Sequence, residues 1–169
     1  MPLTLRKFRV ALPLALVVLL TDCTTKELVV ESLSEHAPHA VAGDVVRFTL
    51  AYNSNAAMGI PIGSGSRWPL VAVMSAVLSV FVVMLWRSPP QAAGQRVALG
   101  LLIGGAAGNL LSRVVTPQGV VDFIDIGFGS WRFFIFNVAD IGIFCGACLL
   151  AWTLWRQEVR EAPRQDAAA

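Results

Sequence analysis

Six ionisable side chains sit in or beside apolar stretches of this chain: Asp22, Lys26, Arg113, Asp122, Asp125 and Asp140, in the company of Asn53, Asn109 and Asn137. A charge near the middle of a bilayer costs at least ~2.5 kcal/mol even on the mildest scale, so such residues usually mark a functional cavity. Their spacing is helical. Asp22 and Lys26 stand at i, i+4 and can pair on one face; Asn109 and Arg113 repeat that interval, and Asn137 and Asp140 are at i, i+3. A matched Asp22–Lys26 pair also explains itself as a buried ion pair that fixes helix register. With Lys26 claimed by Asp22 and Arg113 by the asparagine strip, Asp122 and Asp140 are left without a cation each. Two close carboxyl groups in a poorly hydrated site cannot both ionise easily, so one keeps a proton. Such a pair can take a proton from water with one member and donate one to a carbonyl oxygen with the other, as aspartic proteases do. Spacing alone does not bring the two together.

The elements that must position these groups are membrane helices. The 169 residues are 56% hydrophobic and only 14% charged, with a mean hydropathy of +0.66, where soluble domains carry about 25% charged residues. Four apolar segments predict four spans, roughly 8–30, 68–86, 96–115 and 133–155. The fold class expected is therefore an all-α membrane protein of one domain, residues 1–169. Arg6, Lys7, Arg9, Arg87, Arg96, Arg156, Arg160 and Arg164 all fall on one side of those spans, which assigns both termini to the cytoplasm. The connections 31–67 and 116–132 then lie outside, and the polar residues converge toward the extracytoplasmic half. The tail from Glu158 onward is expected to fray.

The outer connections carry β character. "VVRFTLAY" (45–52) mixes β-branched and aromatic residues after a Gly43-Asp44 turn signal, and "VVDFIDIG" is similar enough to pair with it. Together they predict a small β-structured patch on the outer surface. Gly100, Gly104 and Gly108 recur every four residues, so a neighbouring backbone can approach that face; Gly142 and Gly146 do the same in the fourth span. Cys145 and Cys148 form a C-x-x-C inside an apolar helix, without the βαβ context of a redox motif, and read as small packing residues. His36 and His39 sit on a connection without an obvious third ligand, so no metal or other cofactor is implied. A net charge of +2 and the lack of a basic patch with interleaved aromatics argue against nucleic acid.

"LALVVLLTDCTTKELVV" (14–30) admits a different reading, a lipoprotein signal peptide cut before Cys23. A lipobox needs a small residue just before its cysteine, and Asp22 stands there instead. Two other functions are compatible with the polar residues: a Ser–Lys membrane protease pairing Lys26 with Ser112 or Ser54, and a small proton- or ion-coupled transporter. The absence of inverted repeats and broken helices argues against the transporter.

"TDCTTK" (21–26), "AYNSNAAMG" (51–59), "GGAAGNLLSRVVTPQGVVDFIDIG" (104–127) and "FNVADIGI" (136–143) resemble, in order and spacing, the blocks of the lipoprotein signal peptidase (signal peptidase II) family. The resemblance runs from about residue 8 to 155. It implies a four-helix bacterial inner-membrane aspartyl endopeptidase that removes the signal peptide from prolipoproteins, cleaving before the diacylglyceryl-modified cysteine. It further implies that Asp122 and Asp140 are the catalytic pair, and that Asp22, Lys26, Asn53, Gly105, Asn109, Arg113 and Asn137 shape the site or hold the substrate. Asp125 has no catalytic counterpart. The expected partners are the lipid-modified substrate and membrane lipid, with the enzyme a monomer. The chain departs from the family pattern at Cys23, Asn55, Met58 and Ser112, where the family usually has Gln, Gly, Phe and Asp. These changes leave both carboxyls in place but bear on the shape of the substrate groove, and a divergent paralogue with shifted recognition is a third possibility.

Overall fold

The structure, a computed structural model, describes residues 3–54, 67–89 and 92–165, with side chains for 8–54, 67–89 and 92–159. Asn55 and Met58 therefore lie outside the described residues. The element order is α1 (Leu3–Ser32), β1 (His39–Ala42), β2 (Val46–Asn53), α2 (Trp68–Arg87), α3 (Ala93–Val115), β3 (Val120–Phe128), β4 (Trp131–Arg132) and α4 (Val138–Gln165). Among the described residues four helical segments are long and apolar enough to cross a membrane: Phe8–Ser32, Trp68–Arg87, Ala93–Val115 and Val138–Val159.

α3 is the axis of the bundle, because it is the helix with the smallest residues on its contact faces. Its Gly100 backs onto the Ala11 carbonyl, Gly104 onto the Ala15 carbonyl and Val18, and Gly108 onto the Asp22 carboxylate. The four-residue repeat thus meets one face of α1, made by Ala11, Ala15, Val18 and Asp22. α4 docks on the other side of α3, with Gly142 against Val18 and Leu101 and Gly146 against Ala98 and Leu102. α2 packs mainly on α3 and exposes Val73, Val77, Val80 and Val83, as expected of a lipid-facing surface. Cys145 and Cys148 are free thiols on the exposed face of α4, so they do not pack between helices as the sequence suggested; the helix contacts there are made by Gly142 and Gly146.

The β patch is a four-stranded antiparallel sheet in the order β1-β2-β3-β4. Gly43, at φ +54°, makes the turn between β1 and β2, a conformation that glycine adopts without a Cβ clash. β2 pairs with β3 in the register Ala51 opposite Asp122 and Asn53 opposite Val120, with a bulge in β2 between Phe48 and Ala51. Leu50, Val121 and Phe123 seat the sheet on Val29 of α1. A second apolar cluster of Ala11, Leu85, Leu99 and Leu102 closes the opposite end of the bundle. Between the two clusters α1 carries Asp22 and Lys26, about 16 Å and about 22 Å above Ala11 at 1.5 Å per residue.

The first and third helices start earlier than the sequence reading had them, at Leu3 and Ala93, and both ends of the fourth differ. The fourth helix begins at Val138 rather than near residue 133, because the preceding segment is bound to the sheet: the Phe133 N–H donates to the Ile126 carbonyl (2.8 Å) and the Phe136 N–H to the Ile124 carbonyl (3.1 Å). α4 also continues to Gln165, past Glu158, where fraying was expected.

Gly104→Leu tests the α1–α3 contact. A Cβ at this position meets the Ala15 carbonyl oxygen at 2.6 Å and Val18 Cβ at 2.8 Å, and backbone cannot yield as a side-chain tip can. Overpacking of this kind costs about 1–3 kcal/mol, so the thermal unfolding midpoint in detergent falls. An unchanged midpoint would show that the two helices do not approach here.

Candidate active site

The site grows from α1. Asp22 is completely shielded from solvent, and its carboxylate is used on both oxygens. Oδ2 accepts from Lys26 Nζ at 2.7 Å, across one helical turn as the i, i+4 spacing predicts, and Oδ1 accepts from the Ala139 backbone N–H at 2.9 Å. Lys26 Nζ donates also to Asn109 Oδ1 (3.0 Å) and Ser112 Oγ (3.1 Å) of α3. An ammonium has three protons, and all three have acceptors. Removing one partner of a buried pair like this strands the other charge and costs about 3–5 kcal/mol.

Ala139 is a free donor because it lies in the first turn of α4, where helix N–H groups lack intrahelical partners. Asn137 precedes that turn as its N-cap. Its Oδ1 accepts from the Asp140 N–H (3.0 Å), and its own N–H donates to Asp140 Oδ2 (3.1 Å). This reciprocal arrangement is a capping box, built from Asn and Asp instead of the usual Ser/Thr and Glu/Gln. The i, i+3 spacing of Asn137 and Asp140 is thus explained, and the carboxylates of Asp22 and Asp140 both sit at the positive end of the α4 dipole.

Asp122 arrives from the sheet. Strand residues alternate between faces, so Asp122 and Asp125, three apart in β3, point to opposite sides. Asp125 turns to Thr49 Oγ1 (3.1 Å) and Arg132 Nε (2.8 Å), where it holds the hairpin closed. Asp122 turns to the helices. Asn53 Nδ2 donates to its Oδ2 at 3.1 Å and Asn137 Nδ2 to its Oδ1 at 2.6 Å. Asn109 Nδ2 donates to Asp140 Oδ1 at 2.8 Å. One asparagine, Asn137, therefore binds both acidic side chains, Asp122 through its amide N–H and Asp140 through its backbone N–H, while its amide oxygen caps the Asp140 backbone N–H.

The structure brings together Asp122 and Asp140 with Asp22, Lys26, Asn53, Gly105, Asn109, Arg113 and Asn137, and leaves Asp125 on the other face of the sheet. Gly105 makes the close approach possible: a Cβ there would collide with the Ala139 carbonyl and meet Ile143 Cγ1 at 2.8 Å, pushing α4 and its first turn away from α3. Arg113 differs from the sequence reading, which gave it to the asparagine strip. It is buried, and its charge acts on both Asp122 and Asp140. Ser112 beside Lys26 was expected only under the Ser–Lys alternative, and its place as a Lys26 acceptor, Thr49 and Arg132 as partners of Asp125, and the Ala139 N–H were not foreseen as parts of these networks. The helical spacing of Asn109 from Ser112 was the available signal for the first. Among the described residues no group of three or more His, Cys, Asp or Glu side chains is arranged to hold a metal ion.

Burial, and after it the charge of Asp140, raise the Asp122 carboxyl from 3.8 to about 6, against the opposing bonds from Asn53 and Asn137 and the charge of Lys26. Asp122 is thus poised to hold a proton in the range where an ordinary aspartate has lost it. Two carboxyl groups sharing that proton can activate water and polarise a carbonyl in one site.

The family model described as Signal peptidase (SPase) II matches residues 14–156. A lipoprotein signal peptidase of Syntrophotalea carbinolica is 35% identical over 158 residues, 92% of this chain and 97% of the relative. One of Nitratidesulfovibrio vulgaris is 37% identical over 162 residues, 95% of this chain and 98% of the relative. A solved structure of a bacterial membrane enzyme superposes with a TM-score of 0.80 at 28% identity, covering 89% of this chain and 90% of its own.

The charge of Asp140 contributes to the raised value of Asp122, so Asp140→Asn moves the Asp122 titration down from about 6. It stays above 3.8, because burial is the larger cause and remains. A carbon-13 NMR titration of labelled aspartates in detergent reads this; an unmoved midpoint would show that the carboxyls do not sense each other. The same value fixes the sign for stability. The folded-state value is above the unfolded one, so Asp122 contributes stability fully below 3.8 and loses it as pH rises through about 6.

Proposed function

The chain belongs to the signal peptidase II family, and on that premise we propose that Asp122 and Asp140 are its catalytic pair. It is a protease of the bacterial inner membrane, of the aspartic type, that processes prolipoproteins. The observation that carries the assignment is the single residue Asn137 bonded to both carboxyl groups, to Asp122 through its side-chain amide and to Asp140 through its backbone N–H.

The reaction uses one ionised and one protonated aspartate. The ionised carboxylate takes a proton from a water whose oxygen attacks the scissile carbonyl, and the protonated carboxyl hydrogen-bonds the developing oxyanion. The resulting gem-diol collapses as the peptide nitrogen leaves with a proton. Asp22, Lys26, Asn109 and Asn137 hold the pair in place, Gly105 lets α4 close on α3, and Asn53 and Arg113 are positioned to orient substrate backbone. The scissile bond is the one preceding the lipid-bearing cysteine of the substrate.

Both termini are cytoplasmic and the site faces the extracytoplasmic side; the eight basic residues shared by the two tails and the 87–96 connection support this orientation. Phe128, Trp131, Phe133 and Phe134, all exposed, suit contact with lipid beside the site.

The Lys26–Ser112 contact bears on the Ser–Lys alternative. Lys26 is ion-paired with Asp22 and donates its remaining protons to Asn109 and Ser112, so it acts as a donor toward Ser112 rather than as the base a nucleophilic serine needs.

Gel-shift assays with a lipidated prolipoprotein test the pair. Asp122→Asn and Asp140→Asn each lower turnover by about 10²–10⁴-fold, the usual worth of a positioned acid or base, while Ser112→Ala and Ser54→Ala, singly and together, still cleave. Full turnover in either aspartate variant, or loss of cleavage in the serine variants alone, would overturn the two-aspartate mechanism.

A further inference from the structure

Two similar carboxyls share the site, and nothing in the reaction scheme says which one holds the proton. The hydrogen-bond directions around Asn109 and Asn137 do. Asn109 Oδ1 receives Lys26 Nζ at 3.0 Å and Asn137 Nδ2 at 3.1 Å, while its Nδ2 points at Asp140 Oδ1, 2.8 Å away. Turning this amide over would set an NH2 group against an ammonium and against a second NH2 group, two donor–donor contacts in a buried site. The orientation is held by Lys26 together with Asn137. Lys26 is itself immobilised, because Asp22 and Ser112 take its other protons.

Asp140 therefore receives an N–H on each oxygen: Asn109 Nδ2 on Oδ1 and the Asn137 backbone N–H on Oδ2. It also stands in the first turn of α4, where the helix dipole favours negative charge. Asp122 accepts from Asn53 and from an Asn137 NH2 group that also faces Asn109 Oδ1 and the Val121 carbonyl, and it lies on a strand, with no helix end behind it. The charged groups acting on the two are Asp22 and Lys26 from α1, Arg113 from α3 and each on the other; β2 brings the uncharged Asn53.

We propose that Lys26 is a positioning residue: by locking the Asn109 amide with its N–H toward Asp140, it assigns the ionised, water-activating role to Asp140 and the proton-bearing role to Asp122. This rests on the reading of the two aspartates as the catalytic pair. Lys26 touches neither carboxyl: it holds Asn109, and its charge reaches both carboxyls across the site.

The test uses the full-length enzyme with a lipidated prolipoprotein, following kcat and KM against pH. Lys26→Met removes the charged one of the two donors that hold the amide, so kcat falls about tenfold or more and the acid limb of the kcat profile moves up by about one pH unit, the low end of what an opposite charge does. KM changes little, and Lys26→Arg recovers part of the loss and of the limb position. A fall in kcat with an unmoved acid limb would reduce Lys26 to a structural part and overturn the proposal.

Residual activities of the aspartate variants decide independently, should Lys26→Met fail to insert. Asparagine mimics a protonated aspartate but cannot serve as a base, so Asp122→Asn keeps about tenfold more residual kcat than Asp140→Asn. Equal or reversed residuals overturn this assignment and leave the catalytic pair standing. Full turnover in either variant removes the pair itself.

Discussion

The site depends on the orientation of one buried amide. Asn137 is completely shielded from solvent and stands where three constraints meet. The residue before it is bridged to Ile124 of β3, the residues after it begin α4, and its side chain reaches Asp122. Its carbonyl oxygen caps the Asp140 N–H, which leaves the NH2 group to face Asp122. A flipped amide would place a donor against the cap and an oxygen against the Asp122 carboxylate, losing bonds worth about 1–3 kcal/mol each when left unmade in the interior. The same bonds that start the fourth helix therefore set the distance between the two acidic groups. Helix capping and the geometry of the site are a single structural fact.

That coupling works only if the helices approach closely enough for short side chains to meet. Asn109, Asn137 and the aspartates have a reach of two or three bonds from the backbone, unlike Lys26. The small faces of α3 provide the approach: Gly108 against Asp22 and Gly105 against the first turn of α4. In lipid no hydrophobic force drives helices together, so close packing and interhelical hydrogen bonds must do so. Here the two reinforce each other at one depth, with an apolar cluster on either side.

How much of this was legible in the sequence depends on how local the signal was. Asp22 with Lys26 is a one-turn spacing and the pair is present at 2.7 Å. The glycine repeat identified the close face of α3, and the β character of 45–52 and 120–127 was enough to expect their pairing. The start of α4 was hidden, because "FFIFNVADIGIF" is apolar without a break and its cap uses Asn and Asp, which read as two isolated polar residues. The pairing of Asp125 with Arg132 depends on a hairpin that exists only once β3 and β4 are registered. Arg113 was misassigned for a similar reason. On a bare helix its neighbours at i−4 are the asparagine strip, and only the docked sheet and α4 bring Asp122 and Asp140 into range of its charge.

The buried charges also account for the shared proton without reference to either aspartate alone. Lys26 and Arg113 supply two positive charges, while Asp22, Asp122 and Asp140 supply three potential negative ones, all in a poorly hydrated interior. Uncompensated charge in such a place is expensive, and the cheapest remedy is to keep a proton. One proton makes the cluster neutral. Asp22 is committed to Lys26 and the Ala139 N–H, so the proton falls to the pair bound by Asn137. Ser112, where the family pattern has an aspartate, keeps a fourth carboxyl out of this balance. The polar strip is thus a charge-balanced unit in which the state needed for acid–base chemistry is also the state of lowest electrostatic cost.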